Sequence, residues 1–406
     1  MINYNNIQAC TLKVGGFCAV LLIPAIYFST ALAIVLSAII VLSWLTSAQF
    51  IRLPSLLKDY PVALWSLLLF AYFIVGFSYG DANSSDAFMM LRKYRELVFI
   101  PLLIPFLSIE RYRQWAWYAF IFASIISLVG SQLMAMKLFC LRPPECLPYF
   151  KSYITHGIFI AFFGFFMAHK ALDSRGYVKN LYIAIVLLCL YNIFFVSLGR
   201  TGQLIFLVLV LLFAMQRFNK KGFLLSVLAI AIFLGVFINF SDKSTRIKQG
   251  VVTAQVHLQD HPEQGEFSMG ERFTFWKYSA QLIAEKPLFG HGTGSYTKAY
   301  QRVANKNSEN PHNEFFLIGV QLGAGGLFFY LGFLGSQYYY GKTLPNREKW
   351  LAQGLLVTLI ITSLFNSPLL DHTEGHWFTT LIALCFATRA IKTEDQSDSP
   401  PATFSP

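Results

Sequence analysis

The residues best suited to chemistry stand at the ends of apolar runs. Asn310-Pro311-His312-Asn313-Glu314 lies where a long polar segment gives way to a membrane-length apolar run. With Asn310 as N-cap and Pro311 as first helical residue, His312 is expected in the first turn of a helix. The positive helix end disfavours imidazolium, so this histidine is biased toward the neutral, proton-accepting form; the plain alternative is a histidine that only helps to cap. Arg200, within Gly199-Arg200-Thr201-Gly202, separates two apolar runs, where a charge at membrane depth costs about 2.5–3.5 kcal/mol. No carboxylate is near it in sequence, and a guanidinium fork suits phosphate; the alternative is a snorkelling arginine at a helix end. Ser268-Met269-Gly270-Glu271 has capping-box spacing, which puts Arg272 in a first helical turn. A cation there opposes the helix dipole, a cost that a bound phosphate would offset.

Two further groups are candidates. In Arg92-Lys93-Tyr94-Arg95-Glu96, the i, i+4 spacing of Arg92 and Glu96 predicts a salt bridge. The surplus of cations at a helix start also makes an anion-binding arrangement. Asp371, Glu374 and His376 suggest metal ligation by type, but they lack the i, i+4 face geometry of a zincin, and no metal ligand set is assigned. Their carboxylates are better read as orienting a histidine, pairing an arginine or holding sugar hydroxyls. His257, His261 and His291 have no ligand spacing and read as loop histidines. One poised histidine with several arginines suits displacement of a diphosphate: the arginines neutralise the leaving group while the base takes a proton from the acceptor.

Composition says what must position these groups. The 406 residues are 55% hydrophobic and 13% charged, with forty Phe, against roughly 25% charged in soluble domains. The net charge of +11 does not mark a nucleic-acid binder, since no aromatic-basic module accompanies it. About 20 apolar residues cross a hydrocarbon core. By that measure twelve runs are expected, at about 14–30, 31–49, 61–80, 87–107, 114–136, 153–169, 181–198, 203–216, 222–240, 312–340, 350–366 and 376–390. Arg52/Lys58, Arg111/Arg113, Lys170/Arg175/Lys179, Arg217/Lys220/Lys221, Lys342/Arg347/Lys349 and Arg389/Lys392 then fall on one side, the cytoplasm, with both termini.

The expected fold is therefore an all-α polytopic membrane protein of about 12 transmembrane helices. Helices one to nine occupy 1–240, a long outer loop with short amphipathic helices 241–311, helices ten to twelve 312–392, and a disordered cytoplasmic tail 393–406. In the outer loop, a helix from about Met269 to Ala284 is stopped by Pro287; a glycine-rich turn, Gly290 to Gly294, and a helix at about 296–305 follow. Cys140 and Cys146 can form a short disulfide if their loop faces an oxidising compartment. Gly323-Ala324-Gly325-Gly326 reads as a close helix-packing patch.

Gly199-Arg200-Thr201-Gly202, Glu271-Arg272-Phe273 with Trp276, Pro287-Leu288-Phe289-Gly290 and Pro311-His312-Asn313, in this order, resemble the bacterial O-antigen ligases of the WaaL type. These share a superfamily with O-antigen polymerases and O-linked protein oligosaccharyltransferases. The resemblance implies an enzyme that moves a glycan from undecaprenyl diphosphate to lipid A–core at the periplasmic face of the inner membrane. It implies inversion at the sugar and no metal, ATP or other cofactor. The family's essential histidine corresponds to His312 and its essential arginines to Arg200 and Arg272. Arg92 and Arg95 would extend the diphosphate site, with Asn313 and Asp371 as further substrate-binding residues. Glu314 departs from the apolar or aromatic residue common in relatives, which would suit a different acceptor. A polymerase or a protein-directed transferase is the alternative within the superfamily, and the chain's modest length disfavours the latter. A twelve-helix transporter is the distant alternative, disfavoured because neither half-to-half symmetry nor paired broken helices are visible.

Overall fold

In hydrocarbon a backbone must satisfy its own hydrogen bonds, so the apolar runs become helices. The computed structural model describes residues 4–141, 143–197, 199–245, 248–249 and 268–389, and among them there is no strand. The expected tail at 393–406, His257 and His261 lie outside the described residues. In chain order the helices are α1 (Tyr4–Phe28), α2 (Thr30–Thr46), α3 (Leu53–Asp59), α4 (Pro61–Tyr79), α5 (Ser84–Tyr94), α6 (Phe99–Leu107), α7 (Glu110–Ala135), α8 (Tyr153–Leu172), α9 (Gly176–Tyr191), α10 (Arg200–Arg217) and α11 (Lys220–Phe240). After the outer segment begins come α12 (Ser268–Glu285), α13 (Tyr296–Ala304), α14 (Glu314–Gly341), α15 (Asn346–Phe365) and α16 (His372–Phe386).

The protein is an all-α polytopic membrane protein, but not a set of twelve uninterrupted crossings. Among the described residues nine helices are long and apolar enough to cross, or ten if α2 and the segment Gln49–Asp59, bent by 76°, form one broken span. The run expected at 87–107 is divided: α5 ends at Tyr94, a 3-10 turn spans Arg95–Val98, and α6 has only nine residues. The reason is local, since this run carries Arg92, Lys93, Arg95 and Glu96 where the others are apolar. The last run yields a 15-residue helix shifted toward the N-terminus, since Asp371 caps α16 at Thr373 and Glu374 and the helix ends at Phe386. Cys140 and Cys146 are joined as a disulfide.

α8 is apolar nearly all round and nearly all buried, packed against α9, α10 and α15. α11 is the opposite case: Leu224, Leu225, Ile232 and Phe240 are exposed, as suits a helix facing lipid. Gly157 of α8 and Gly202 of α10 touch backbone to backbone, a Cβ at Gly202 falling 2.7 Å from Gly157 Cα. Ahead of α10 a π-helical turn, Asn192–Ser197, seats the buried Asn192 between His156 (2.8 Å) and Ser131 (2.8 Å). These contacts set where α10 begins, and therefore where Arg200 stands.

α14 is broken at Gly323, whose φ of +61° only glycine adopts readily. The turn after α12 fills the break. His291 and Gly292 N–H donate to the carbonyls of Val320 (2.9 Å) and Gln321 (2.7 Å), while Ala324 and Gly325 N–H donate to Pro287 (2.8 Å) and Leu288 (3.2 Å). Gly290 and Gly323 thus serve one purpose, the close approach of two backbones, whereas Gly325 makes room for the Tyr72 ring.

A Gly202→Leu substitution must push α8 and α10 apart and is expected to cost about 1–3 kcal/mol. This is read as a lower unfolding midpoint in detergent. Gly235→Leu, with nothing within 4 Å of its Cβ position, is expected to leave the midpoint unchanged.

Candidate active site

The segment expected to be a helix start is instead a clamped loop. The N-cap of α14 is Asn313, not Asn310: its Oδ1 accepts from Phe316 N–H (3.0 Å) and its Nδ2 donates to the Leu364 carbonyl (3.0 Å). Both ends of the Asn313 amide are thereby engaged by backbone. His312 lies just before the cap, not in the first turn, at a left-handed φ of +52°. That conformation is uncommon for a residue with a side chain and persists where its surroundings hold it. Asn310 supplies the hold, its Oδ1 accepting from His312 N–H (2.8 Å) and Ser367 Oγ–H (2.8 Å). Trp276 Nε1–H donates to the Pro311 carbonyl (3.1 Å), tying the loop to α12.

The imidazole is oriented by a residue that sequence reasoning did not single out. Asn366, at the end of α15, donates from Nδ2 to Glu374 Oε2 (3.3 Å), which turns its Oδ1 toward His312 Nδ1 (3.4 Å). Glu374 is itself held by Thr155, whose Oγ1–H donates to Oε1 (3.0 Å). An amide oxygen only accepts, so Nδ1 carries the proton and Nε2 keeps a free lone pair. Burial, and then the positive charge of Arg272, hold the His312 pKa below its ordinary value, against an opposing pull from Asn366. The only advance signal for Asn366 was a polar residue closing an apolar run.

Arg272 stands near this histidine and Arg200 near Arg272, although neither arginine lines the cavity around His312. Arg272 has its pKa lowered by burial first and then by the charge of Arg200, and Tyr153 also interacts with it. His312 lines a cavity of about 320 Å³ with Lys93, Ser152, Asn366, Asp371 and Glu374. Three helix starts border the cavity, α8 capped by Ser152, α14 after His312 and α16 capped by Asp371, while α10 begins at Arg200 and α12 carries Arg272 in its second turn. Converging helix N-termini and guanidinium groups favour an anion strongly.

The remaining candidates are more scattered. Asp371 lines the cavity, as does Lys93. The expected Arg92–Glu96 salt bridge is replaced: the 3-10 turn carries Glu96 into the interior, where Arg95 (4.0 Å) and His372 (2.6 Å) are its ionic neighbours. Arg92 is exposed on the last turn of α5, and neither Arg92 nor Arg95 lines the cavity. Glu314 is fully buried and does not line the cavity, accepting from the Tyr94 hydroxyl and from Leu369 N–H (3.0 Å). Its acidity therefore serves as a strut between α5, α14 and the 367–371 loop, not as a contact for an acceptor. His291 is buried against the Leu282 carbonyl (3.0 Å), an ordinary loop histidine.

Residues 184–331 match the family model described as O-Antigen ligase. An O-antigen ligase family domain is present. The matched stretch contains Arg200, Arg272, His312 and Asn313, and ends before Asn366, Asp371 and Glu374. A Haemophilus influenzae protein, described as uncharacterized, is 25% identical over 311 residues that span 72% of this chain and 77% of that one.

Arg272→Gln removes a charge that opposes imidazolium, so the His312 pKa is expected to rise. Its diethylpyrocarbonate modification would then titrate with a midpoint at higher pH than in the unsubstituted protein. An unmoved midpoint would mean that His312 does not feel Arg272.

Proposed function

We propose that the protein is a membrane glycosyltransferase that moves O-antigen glycan from undecaprenyl diphosphate to lipid A–core. The observation that carries this reading is a histidine oriented by Asn366, with Arg272 near it and Arg200 near Arg272, at a cavity bordered by three helix N-termini. In the reaction, an acceptor sugar hydroxyl attacks the anomeric carbon of the donor from the face opposite the diphosphate. The new C–O bond forms as the bond to the diphosphate breaks, which inverts the centre. His312 Nε2 takes the hydroxyl proton, and Arg200 and Arg272 balance the charge on the departing undecaprenyl diphosphate. Asn366 and Glu374 hold the imidazole in the tautomer that can accept. Asp371 and Lys93 are placed to contact sugar or phosphate groups, with Arg92 and Arg95 acting on the incoming lipid-linked donor from outside the cavity. The step needs no metal or nucleotide at the reacting atoms, since the protein groups supply both base and charge.

The cavity is assigned to the periplasmic side of the inner membrane, with both termini cytoplasmic. Two features support that orientation. The Cys140–Cys146 disulfide suits an oxidising compartment. The basic loops assigned to the cytoplasm gather at the other end of the bundle, where Arg217 pairs with Asp173 (2.5 Å), Lys170 lies beside Arg347, and Arg389 donates to the Asp59 carbonyl. The same site chemistry would serve a polymerase, whose acceptor is a second lipid-linked glycan, or a protein-directed transferase, and the acceptor alone separates the three.

Loss of a positioned base costs about 10²–10⁴-fold, so His312→Ala is expected to reduce glycan attachment at least a hundredfold with unchanged protein level. Intact attachment in that variant would sink the assignment. Lipopolysaccharide gels of a deletion strain separate the acceptors. A ligase deletion leaves bare core and accumulates lipid-linked polymer, whereas a polymerase deletion leaves core bearing a single repeat.

A further inference from the structure

Glu96, His372 and His376 form a cluster that the transfer chemistry does not use. His372 and His376 are i, i+4 on α16 and share one face, while Glu96 comes from the 3-10 turn that divides α5 from α6. Sequence reading weighed Asp371, Glu374 and His376 for a metal and found no shared face; the pair that shares one is His372 with His376. Each of the three residues offers a ligand atom, and these atoms lie within 4.8 Å of one another. His372 Nδ1 is 2.6 Å and His376 Nε2 3.8 Å from Glu96 Oε1.

A second observation points to something between them. His376 is 1% exposed, yet neither of its ring nitrogens has a hydrogen-bond partner. Glu96 Oε2 and His372 Nε2 are also buried without one. Buried polar atoms are nearly always paired, so the unpartnered His376 Nε2, 3.8 Å from Glu96 Oε1 beside His372 Nδ1, indicates a missing ligand. The hydrogen bond between His372 and Glu96 accounts for one nitrogen and one oxygen and leaves His376 unexplained.

We propose that Glu96, His372 and His376 bind one divalent transition-metal ion of the zinc class. Two imidazole nitrogens and one carboxylate oxygen are a zinc-type donor set, whereas Mg2+ and Ca2+ prefer oxygen alone. Bonds of about 2.1 Å to a tetrahedral ion put ligand atoms roughly 3.4 Å apart, which the present separations approach through small side-chain rotations. A water molecule would complete the tetrahedron. The ion would pin the Arg95–Val98 turn to α16, whose first turn presents Asp371 and Glu374 to the His312 cavity. It is a brace behind the site, and the inference stands or falls independently of the transfer reaction.

The test uses the full-length, tag-free protein in detergent, stripped with EDTA, reloaded with Zn2+ and passed through a desalting column. About one zinc per chain is expected by mass spectrometry, with a raised unfolding midpoint that Mg2+ does not reproduce. Co2+ loading is expected to give the visible absorption of a four-coordinate site. His376→Ala and Glu96→Gln should lose both the bound zinc and the zinc-dependent rise in midpoint. Absence of stoichiometric zinc and of the cobalt spectrum in the unsubstituted protein overturns the proposal, and needs no variant to fold. Equal zinc uptake by the folded variants overturns it as well, as binding elsewhere on the chain.

Discussion

The break in α14 is the constraint on which the rest of this end of the molecule depends. Opening a helix in a medium without water frees backbone N–H and C=O groups that must find partners. Here the partners are the carbonyls of Pro287 and Leu288 and the N–H groups of His291 and Gly292, so the break exists only with that turn inserted into it. The insertion fixes the end of α12 against α14 and directs the chain through α13 back to residue 310. Arg272, at the far end of α12, and His312, at the entry to α14, are thereby held by the same pair of helices. Gly76 on α4 and Gly80 just after it complete the arrangement by admitting Thr293 and Gly292 to backbone distance.

Electrostatics then give this scaffold its chemical character. Two guanidinium groups share a partly desolvated place at several helix N-termini, an arrangement that repels protons and attracts anions. Burial, and then the charge of Arg272, hold the His312 pKa below its ordinary value, so in the proposed reaction the base and the groups balancing the leaving anion would reinforce one another. Buried carboxylates are kept out of this field or turned to positioning: Glu314 bonds Tyr94 and Leu369, and Glu374 bonds Thr155 and Asn366. Acidic residues near an anion site are thus compatible with it when their lone pairs are engaged elsewhere.

The Glu96 region shows how one feature can mislead by sequence and inform by structure. Charged residues in an apolar run read as a helix start with an i, i+4 ion pair. A 3-10 turn changes the angular spacing, so Glu96 leaves Arg92 and meets His372 from the other end of the chain. No local pattern encodes that meeting, because the two residues are joined only through the packing of α6 against α16.

What the sequence by itself determined was the class of the molecule and the rough place of its polar groups: apolar runs that must become helices, basic loops between them, Arg272 within the long polar segment, His312 at its end, and Arg200 between two runs. These follow from hydropathy, charge and spacing, which act within a few turns of chain. Only the tertiary structure decided that α14 starts at Glu314 and not at Pro311, that His312 is left-handed, that Asn366 selects its tautomer, and that some apolar runs are broken or short. Each of these depends on hydrogen bonds between segments remote in sequence, such as Asn313 to Leu364 and Gly292 to Gln321, and such bonds form only once the helices have packed.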